Sequence, residues 1–156
     1  MEKSIRLLLM IVGIAYGGKA QKINLVPTKQ LRQLPSGWHI FVSEGATFDA
    51  EVLNGSLIKG KITWFDTASY SGTFYNNKIS GKGTYTWSNG ERYEGSFKGN
   101  MLHGKGTFYK NDGTKYQGKW KNNKRNGKGK IFDNSGAIVK QGVWEENIYI
   151  DKATKK

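Results

Sequence analysis

The chain has 156 residues, no cysteine, 2 prolines, 21 glycines and a formal net charge of +13. Because cysteine is absent, a disulfide framework, a thiolate zinc site and a cysteine nucleophile are excluded. Aromatic residues make up 13% of the chain, which is too many for a flexible glycine linker or a disordered chain. The length predicts a single domain.

Residues 1–20 have the three-part pattern of a secretory signal peptide. A basic stub precedes an apolar run at 7–16, and the small residues Gly18 and Ala20 follow it. We predict cleavage near Ala20, which makes the mature protein secreted or periplasmic. The alternative is an N-terminal membrane anchor, but the apolar run is only half of the roughly 20 residues that span a bilayer.

Residues 21–47 show no repeat and are predicted to form an N-terminal cap. Pro27 and Pro35 bracket a segment at 28–34 that suits a short helix, and residues 38–42 suit a strand. A segment of about 25 residues cannot bury a core of its own, so we expect it to pack on the rest of the chain.

Beyond residue 69 the glycines and aromatic residues recur with a period of 23 residues. Several independent columns share this period, which indicates a repeat protein. The recurring positions are Tyr70, Gly72, Phe74, Gly81 and Gly83 in the first unit, Tyr93, Gly95, Phe97, Gly104 and Gly106 in the second, and Tyr116, Gly118, Trp120, Gly127 and Gly129 in the third.

Each unit has the pattern of two strands and two turns. Tyr70, Gly72 and Phe74 alternate with small or polar residues, and the Gly81 strand continues the alternation to Trp87, which predicts that both strands share an aromatic face. Asparagine and glycine dipeptides separate the strands and suit tight hairpin turns. One hairpin is marginal in water, so we predict that the units stack edge to edge and that the glycines leave room for the rings.

The stretch from Tyr93 to Gly113 resembles the MORN repeat (membrane occupation and recognition nexus), with Tyr-Glu-Gly-x-Phe, then Gly-x-Gly, then Asp-Gly. Three units carry the resemblance, at 70–92, 93–115 and 116–138. The resemblance implies an all-β fold, a single elongated antiparallel sheet of stacked hairpins. It also implies membrane association or protein interaction and dimerisation.

Degenerate units flank the three clear repeats, so the array is predicted to cover residues 48–144. Upstream, residues 48–62 look like a unit shortened by one residue. Downstream, Gly142 begins a unit with one residue inserted and with Ile138 or Val139 in the tyrosine column. Residues 145–156 are predicted to be a C-terminal cap and tail, since a repeat array needs its end units capped.

The basic charge is confined to the repeats. Residues 59–130 hold fifteen basic and four acidic side chains, whereas residues 21–58 and 131–156 are each balanced. Strand alternation places part of this charge on the face opposite the aromatic rings. The lysines predicted to form this anion-binding face are Lys82, Lys105, Lys119, Lys121, Lys128 and Lys130.

The sequence contains no recognisable catalytic constellation, metal site or cofactor motif. His103 is predicted to lie in a surface turn and His39 in the cap, and neither has ligand spacing. Glu145 and Glu146 are adjacent, so in a strand they would face opposite sides, and we expect them to blunt the last edge strand. Gly-x-Gly occurs three times inside strands, which does not match a nucleotide-binding loop. We therefore predict no enzyme activity.

The sequence favours a binding or scaffold protein whose basic face meets an anionic lipid surface, an acidic protein or an acidic polysaccharide. Nucleic acid is not expected. Three alternatives stay open: a basic face that serves only solubility, a protein scaffold or homo-oligomer, and a carbohydrate binder that uses exposed Tyr75, Tyr109 and Phe132.

Overall fold

A computed structural model of the chain describes residues 28–43 and 45–150. The predicted signal peptide, the last six residues of the predicted C-terminal cap and tail, and the first part of the predicted N-terminal cap lie outside these residues. One short helix and eleven strands are described. They are α1 (Thr28–Leu31), β1 (Gly37–Ser43), β2 (Ala46–Leu53), β3 (Ser56–Trp64), β4 (Ser69–Tyr75), β5 (Lys78–Thr86), β6 (Arg92–Lys98), β7 (Met101–Tyr109), β8 (Lys115–Lys121), β9 (Lys124–Phe132), β10 (Ile138–Glu145) and β11 (Ile148–Ile150).

All eleven strands form one open antiparallel sheet in which each strand pairs with the next one in the chain. This confirms the predicted all-β sheet of stacked hairpins. The helix predicted over 28–34 is shorter than expected, ending at Leu31, and the predicted strand at 38–42 is β1 on one edge of the sheet. Within the described residues no helix has the length and apolar character needed to cross a membrane.

One face of the sheet, called the inner face, buries the aromatic columns. Tyr70, Tyr93 and Tyr116 are at most 5% exposed, and their rings form an unbroken edge-to-face row with the neighbouring Phe and Trp rings. Centroid separations along this row are 5.1–5.4 Å. Each such pair contributes roughly 0.5–1.5 kcal/mol beyond the area it buries. The rings therefore join each repeat to the next.

The glycine columns make this packing possible. Gly95 pairs directly with Gly106, and a Cβ on either would come within 2.5 Å of the Tyr93 hydroxyl oxygen. The same arrangement occurs under Tyr70 and Tyr116. The ring lies flat over two glycines, and the Tyr93 hydroxyl donates to the Ser96 carbonyl at 3.0 Å. The expectation that the glycines leave room for the rings is confirmed for this pair in each unit.

The first glycine of each Gly-Lys-Gly motif behaves differently from the prediction. Gly81, Gly104 and Gly127 have φ of 83°, 68° and 99° and lie at irregularities in the strand pairing. A Cβ there would point toward the Thr73, Ser96 and Lys119 side chains rather than toward a tyrosine ring. These glycines therefore form bulges, and only the second glycine lies on the inner face.

Asparagines in the turns link successive hairpins by hydrogen bonds. Asn123 has a left-handed backbone, with φ of 67°. Its side-chain Oδ1 accepts a hydrogen bond from the Leu102 backbone N–H at 2.8 Å, and its backbone N–H donates to the Leu102 carbonyl at 3.1 Å. Asn100 binds Ile79 in the same way, and Asn147 binds Arg125. Each asparagine thus satisfies backbone groups in the preceding unit.

The degenerate C-terminal unit also packs a tyrosine ring over a glycine, but that tyrosine comes from a different strand. Ile131 faces Tyr116 on one side and Lys140 on the other, so Lys140, and not Ile138 or Val139, occupies the tyrosine column. Val139 lies at a register irregularity. The missing ring comes from Tyr149 on β11, which covers Gly142 and places its hydroxyl 3.1 Å from the Gln141 carbonyl.

Candidate anion-binding face

The opposite face of the sheet, called the outer face, carries a shallow groove lined by lysines. The groove has a volume of about 510 Å³ and is lined by Lys82, Lys105, Lys119 and Lys128, together with Glu94, Thr107 and Gln117. We call it the basic groove. Strand alternation places these side chains opposite the buried tyrosines, as the sequence predicts.

A second depression of about 600 Å³ continues the basic groove toward β11. It shares Gln117 and Lys128 with the basic groove and adds Lys130 and Gln141. Five of the six predicted lysines therefore line one continuous surface. The sixth, Lys121, lies outside both depressions, near the turn between β8 and β9.

The pairing register brings like charges together. Lys105 is directly opposite Lys119, and Lys121 is directly opposite Lys124. Like charges directly opposite in a sheet destabilise it, by roughly 0.2–1 kcal/mol per pair. The Lys119 stem lies over Gly127, 3.1 Å from where a Cβ would be, so the bulge accommodates this side chain next to Lys128.

The carboxylates near the groove are already engaged. Glu94 lines the groove, but it forms an ion pair with Arg92 and accepts from the Tyr109 hydroxyl at 3.1 Å. Burial, and next the bond to Glu94, raise the pKa of Tyr109. Glu146 pairs with Lys124, which lowers the pKa of the Glu146 carboxyl. The lysine cluster on β7, β8 and β9 therefore keeps its excess of positive charge.

Two of the three aromatic residues predicted to be exposed are covered. Tyr75 is 71% exposed, but Tyr109 and Phe132 are half-buried. The Arg92 guanidinium lies over the Tyr109 ring at 4.4 Å, and the Lys115 ammonium lies over the Phe132 ring at 4.8 Å. Cations thus occupy ring faces that a sugar would need, which weakens the carbohydrate-binding alternative.

Two other sequence predictions are wrong in detail. His103 lies within β7, not in a turn, and its buried Nδ1 has no hydrogen-bond partner among the described residues. Glu145 ends β10 and Glu146 lies in the following turn with φ of 50°, so the pair is not on the last edge strand. His39 lies on β1, with Nε2 2.8 Å from the Pro35 carbonyl oxygen.

The sequence interpretation missed the neutral polar residues of the groove. Gln117 and Gln141 occupy the column that holds Glu94 in the second repeat, because all three pair with corresponding positions on neighbouring strands. Aligning the units shows glutamine replacing glutamate toward the C-terminal end. That replacement removes negative charge where the lysines are densest, and it could have identified the groove.

Among curated proteins, no relative matches the chain. The model of the MORN repeat family matches residues 70–92, 93–115 and 116–137, three consecutive units that coincide with the repeats defined by the rings and glycines. Repeats of this family generally occur in non-enzymatic binding or scaffold proteins. The chain therefore contains three consecutive MORN repeats, which lie at the centre of an eleven-stranded sheet.

Proposed function

We propose that this protein is an exported scaffold whose basic groove binds the headgroups of an anionic phospholipid membrane. The observation that carries the proposal is the pairing of Lys105 with Lys119 in the groove, next to Lys128. Such a pairing costs stability, and no carboxylate ion pair is described for these three lysines. A bound anion offsets the repulsion and gives the arrangement a function.

The geometry suits a surface that carries many separate charges. Lys105, Lys119 and Lys128 lie on successive strands, and neighbouring strands are about 4.8 Å apart. The groove is shallow and continuous rather than a closed pocket, so several phosphate groups can lie along it. Each lysine near an anionic bilayer contributes about 1 kcal/mol. The four lysines of the basic groove then supply about 4 kcal/mol, which corresponds to millimolar, salt-sensitive binding.

Vesicle sedimentation tests the proposal. The full chain is mixed with phosphatidylcholine vesicles with and without phosphatidylserine, at low and high salt. We expect recovery only with phosphatidylserine and low salt, and a large loss in the triple variant Lys105→Gln, Lys119→Gln, Lys128→Gln. The matched control replaces exposed Lys29, Lys78 and Lys98 by glutamine, which removes the same charge elsewhere.

Equal binding by the two triple variants would show that net charge, not the groove, attracts the membrane. Binding to neutral vesicles at high salt would contradict an electrostatic mechanism altogether. A chain that binds no vesicle under any condition would leave the protein-scaffold alternative, in which the outer face meets an acidic protein.

Export is part of the proposal and rests on the pattern of residues 1–20. N-terminal sequencing of the protein from its natural source tests it. A mature chain that begins at Gln21 is expected, and a native protein that retains Met1 would refute cleavage.

A further inference from the structure

The first strand of the sheet has one unpartnered edge. All seven residues of β1 pair in register with β2, from Gly37 opposite Val52 to Ser43 opposite Ala46. The other side of β1 pairs with no strand among the described residues. Its outward backbone N–H and C=O groups are therefore a template for another strand.

Edge strands normally carry features that prevent pairing, such as charges, proline, bulges or short length. β1 has none of these: its sequence is Gly-Trp-His-Ile-Phe-Val-Ser, and its register with β2 is regular. The opposite edge differs. β11 has only three residues, and the charged Glu146 lies in the turn that precedes it.

β1 also exposes a stripe of large apolar side chains. Trp38, Ile40 and Val42 are 54%, 74% and 60% exposed. Because Phe41 stacks on the buried ring of Phe48, these three residues lie on the outer face. The Trp38 indole N–H donates to Asp49, which holds the ring against β2. Contiguous exposed apolar residues on an unpaired edge are typical of a protein contact.

Charge indicates that the partner is a second copy of this chain. Residues 59–130 carry fifteen basic and four acidic side chains and repel the same segment of another copy, whereas residues 21–58 are balanced at three of each. On the outer face next to β1, Glu51 pairs with Lys59 at 3.3 Å and Asp49 lies opposite Lys61. Residues 131–156 at the other end of the sheet are balanced as well. Charge therefore permits two copies to meet at either end, and the longer, apolar β1 edge is the one suited to pairing.

We propose that β1 pairs antiparallel with β1 of a second copy, about a two-fold axis at Ile40. This register keeps all seven residues paired, with Ile40 opposite its own copy and Trp38 opposite Val42. Every cross-strand pair on the outer face is then apolar, and no charged residue enters the contact. The two eleven-stranded sheets become one continuous sheet.

The dimer is independent of membrane binding, but it adds to it. Pairing at β1 places the two basic grooves on distant arms of one particle. Two weak sites on one particle bind a surface with higher avidity than either alone. The single-strand width of the contact predicts a reversible dimer rather than a permanent one.

Sedimentation velocity of the full chain tests the dimer, from about 1 µM to 1 mM protein. We expect the mass to rise from one chain to two, at low and at high salt. Ile40→Lys places two like charges directly opposite each other and should keep the protein monomeric. Since Ile40 is 74% exposed, this variant should retain its fold and its melting temperature. Ile148→Lys, at a residue 67% exposed on the other edge, is the matched control and should dimerise.

Cysteine cross-linking tests the register, because the chain has no natural cysteine. Ile40→Cys should form a disulfide-linked dimer under mild oxidation, whereas exposed Leu53→Cys, outside β1, should not. A monomer at every concentration would overturn the proposal. So would open-ended assembly blocked by Ile148→Lys, since that result indicates β1 pairing with β11. Vesicle binding without dimerisation, or dimerisation without vesicle binding, separates this inference from the proposed function.

Discussion

Replacing Asn123 by alanine tests whether the hydrogen bonds of the turn asparagines hold successive repeats together. Asn123 is 8% exposed and Leu102 is 1% exposed, so removing the Asn123 oxygen leaves a buried Leu102 amide without its hydrogen-bond acceptor. A buried donor without a partner costs about 1–3 kcal/mol. Alanine at a φ of 67° adds about 1–2 kcal/mol of backbone strain. We expect Asn123→Ala to lower the free energy of unfolding by about 2–5 kcal/mol.

The preceding residue in the same turn provides the control. Asn122 also has a left-handed backbone, with φ of 49°, but its side chain is exposed and forms no hydrogen bond with the described residues. Asn122→Ala therefore carries only the backbone strain, about 1–2 kcal/mol. Asn123→Gly isolates the cost of the lost hydrogen bond, because glycine adopts the left-handed φ without strain but leaves the Leu102 amide unpaired.

Urea denaturation gives the free energies, and hydrogen exchange at the Leu102 amide reports the lost bond directly. We expect the Leu102 amide to exchange faster in both Asn123 variants and at the wild-type rate in Asn122→Ala. If Asn123→Ala and Asn122→Ala destabilise the protein equally and hydrogen-exchange protection at Leu102 is unchanged, the Asn123 hydrogen bond contributes nothing to stability and the prediction is refuted.

Three further outcomes follow from the packing. Gly106→Ala places a Cβ 2.2 Å from the Tyr93 hydroxyl oxygen and should lower the free energy of unfolding measured in urea by about 1–3 kcal/mol. If the effects of Gly106→Ala and Tyr93→Leu on stability are additive in a double-mutant cycle, the ring contact is contradicted. Lys119→Thr removes the charge opposite Lys105. It should stabilise the protein by about 0.2–1 kcal/mol and weaken vesicle binding. A loss of stability would argue against repulsion between the two lysines. Burial raises the pKa of Tyr116 to about 12 and raises that of Tyr93 further. Their stabilising contribution is therefore complete below pH of about 10, the unfolded pKa, and is lost as the pH rises through the folded values. Tyrosinate absorbance should appear together with loss of near-ultraviolet circular dichroism, and full titration of a folded protein near pH 10 would contradict this.

The repeat and its hairpins were predictable because their signals are local. Alternation along a strand assigns Tyr93 and Lys105 to opposite faces without knowledge of any neighbour, and a turn asparagine marks a hairpin by its own tolerance of positive φ. The period of 23 residues then multiplies each local signal three times.

The errors arose where a position depends on a partner strand. Gly81 and Gly83 look equivalent in sequence, yet only the paired register shows that Gly81 forms a bulge and Gly83 lies under a ring. The inserted residue before Gly142 hides the tyrosine column, and the replacement ring of Tyr149 comes from another strand. Such compensation has no local signature.

The amino-acid sequence by itself determined the repeat, the inner aromatic face and the outward lysines, since these follow from strand periodicity and turn chemistry. Only the tertiary structure decided that Lys105 faces Lys119, that Glu94 is engaged by Arg92, and that β1 has an apolar edge that no other described strand pairs with. The physical reason is that cross-strand register and exposure are properties of neighbouring strands, and no single strand encodes which residues its neighbour brings alongside.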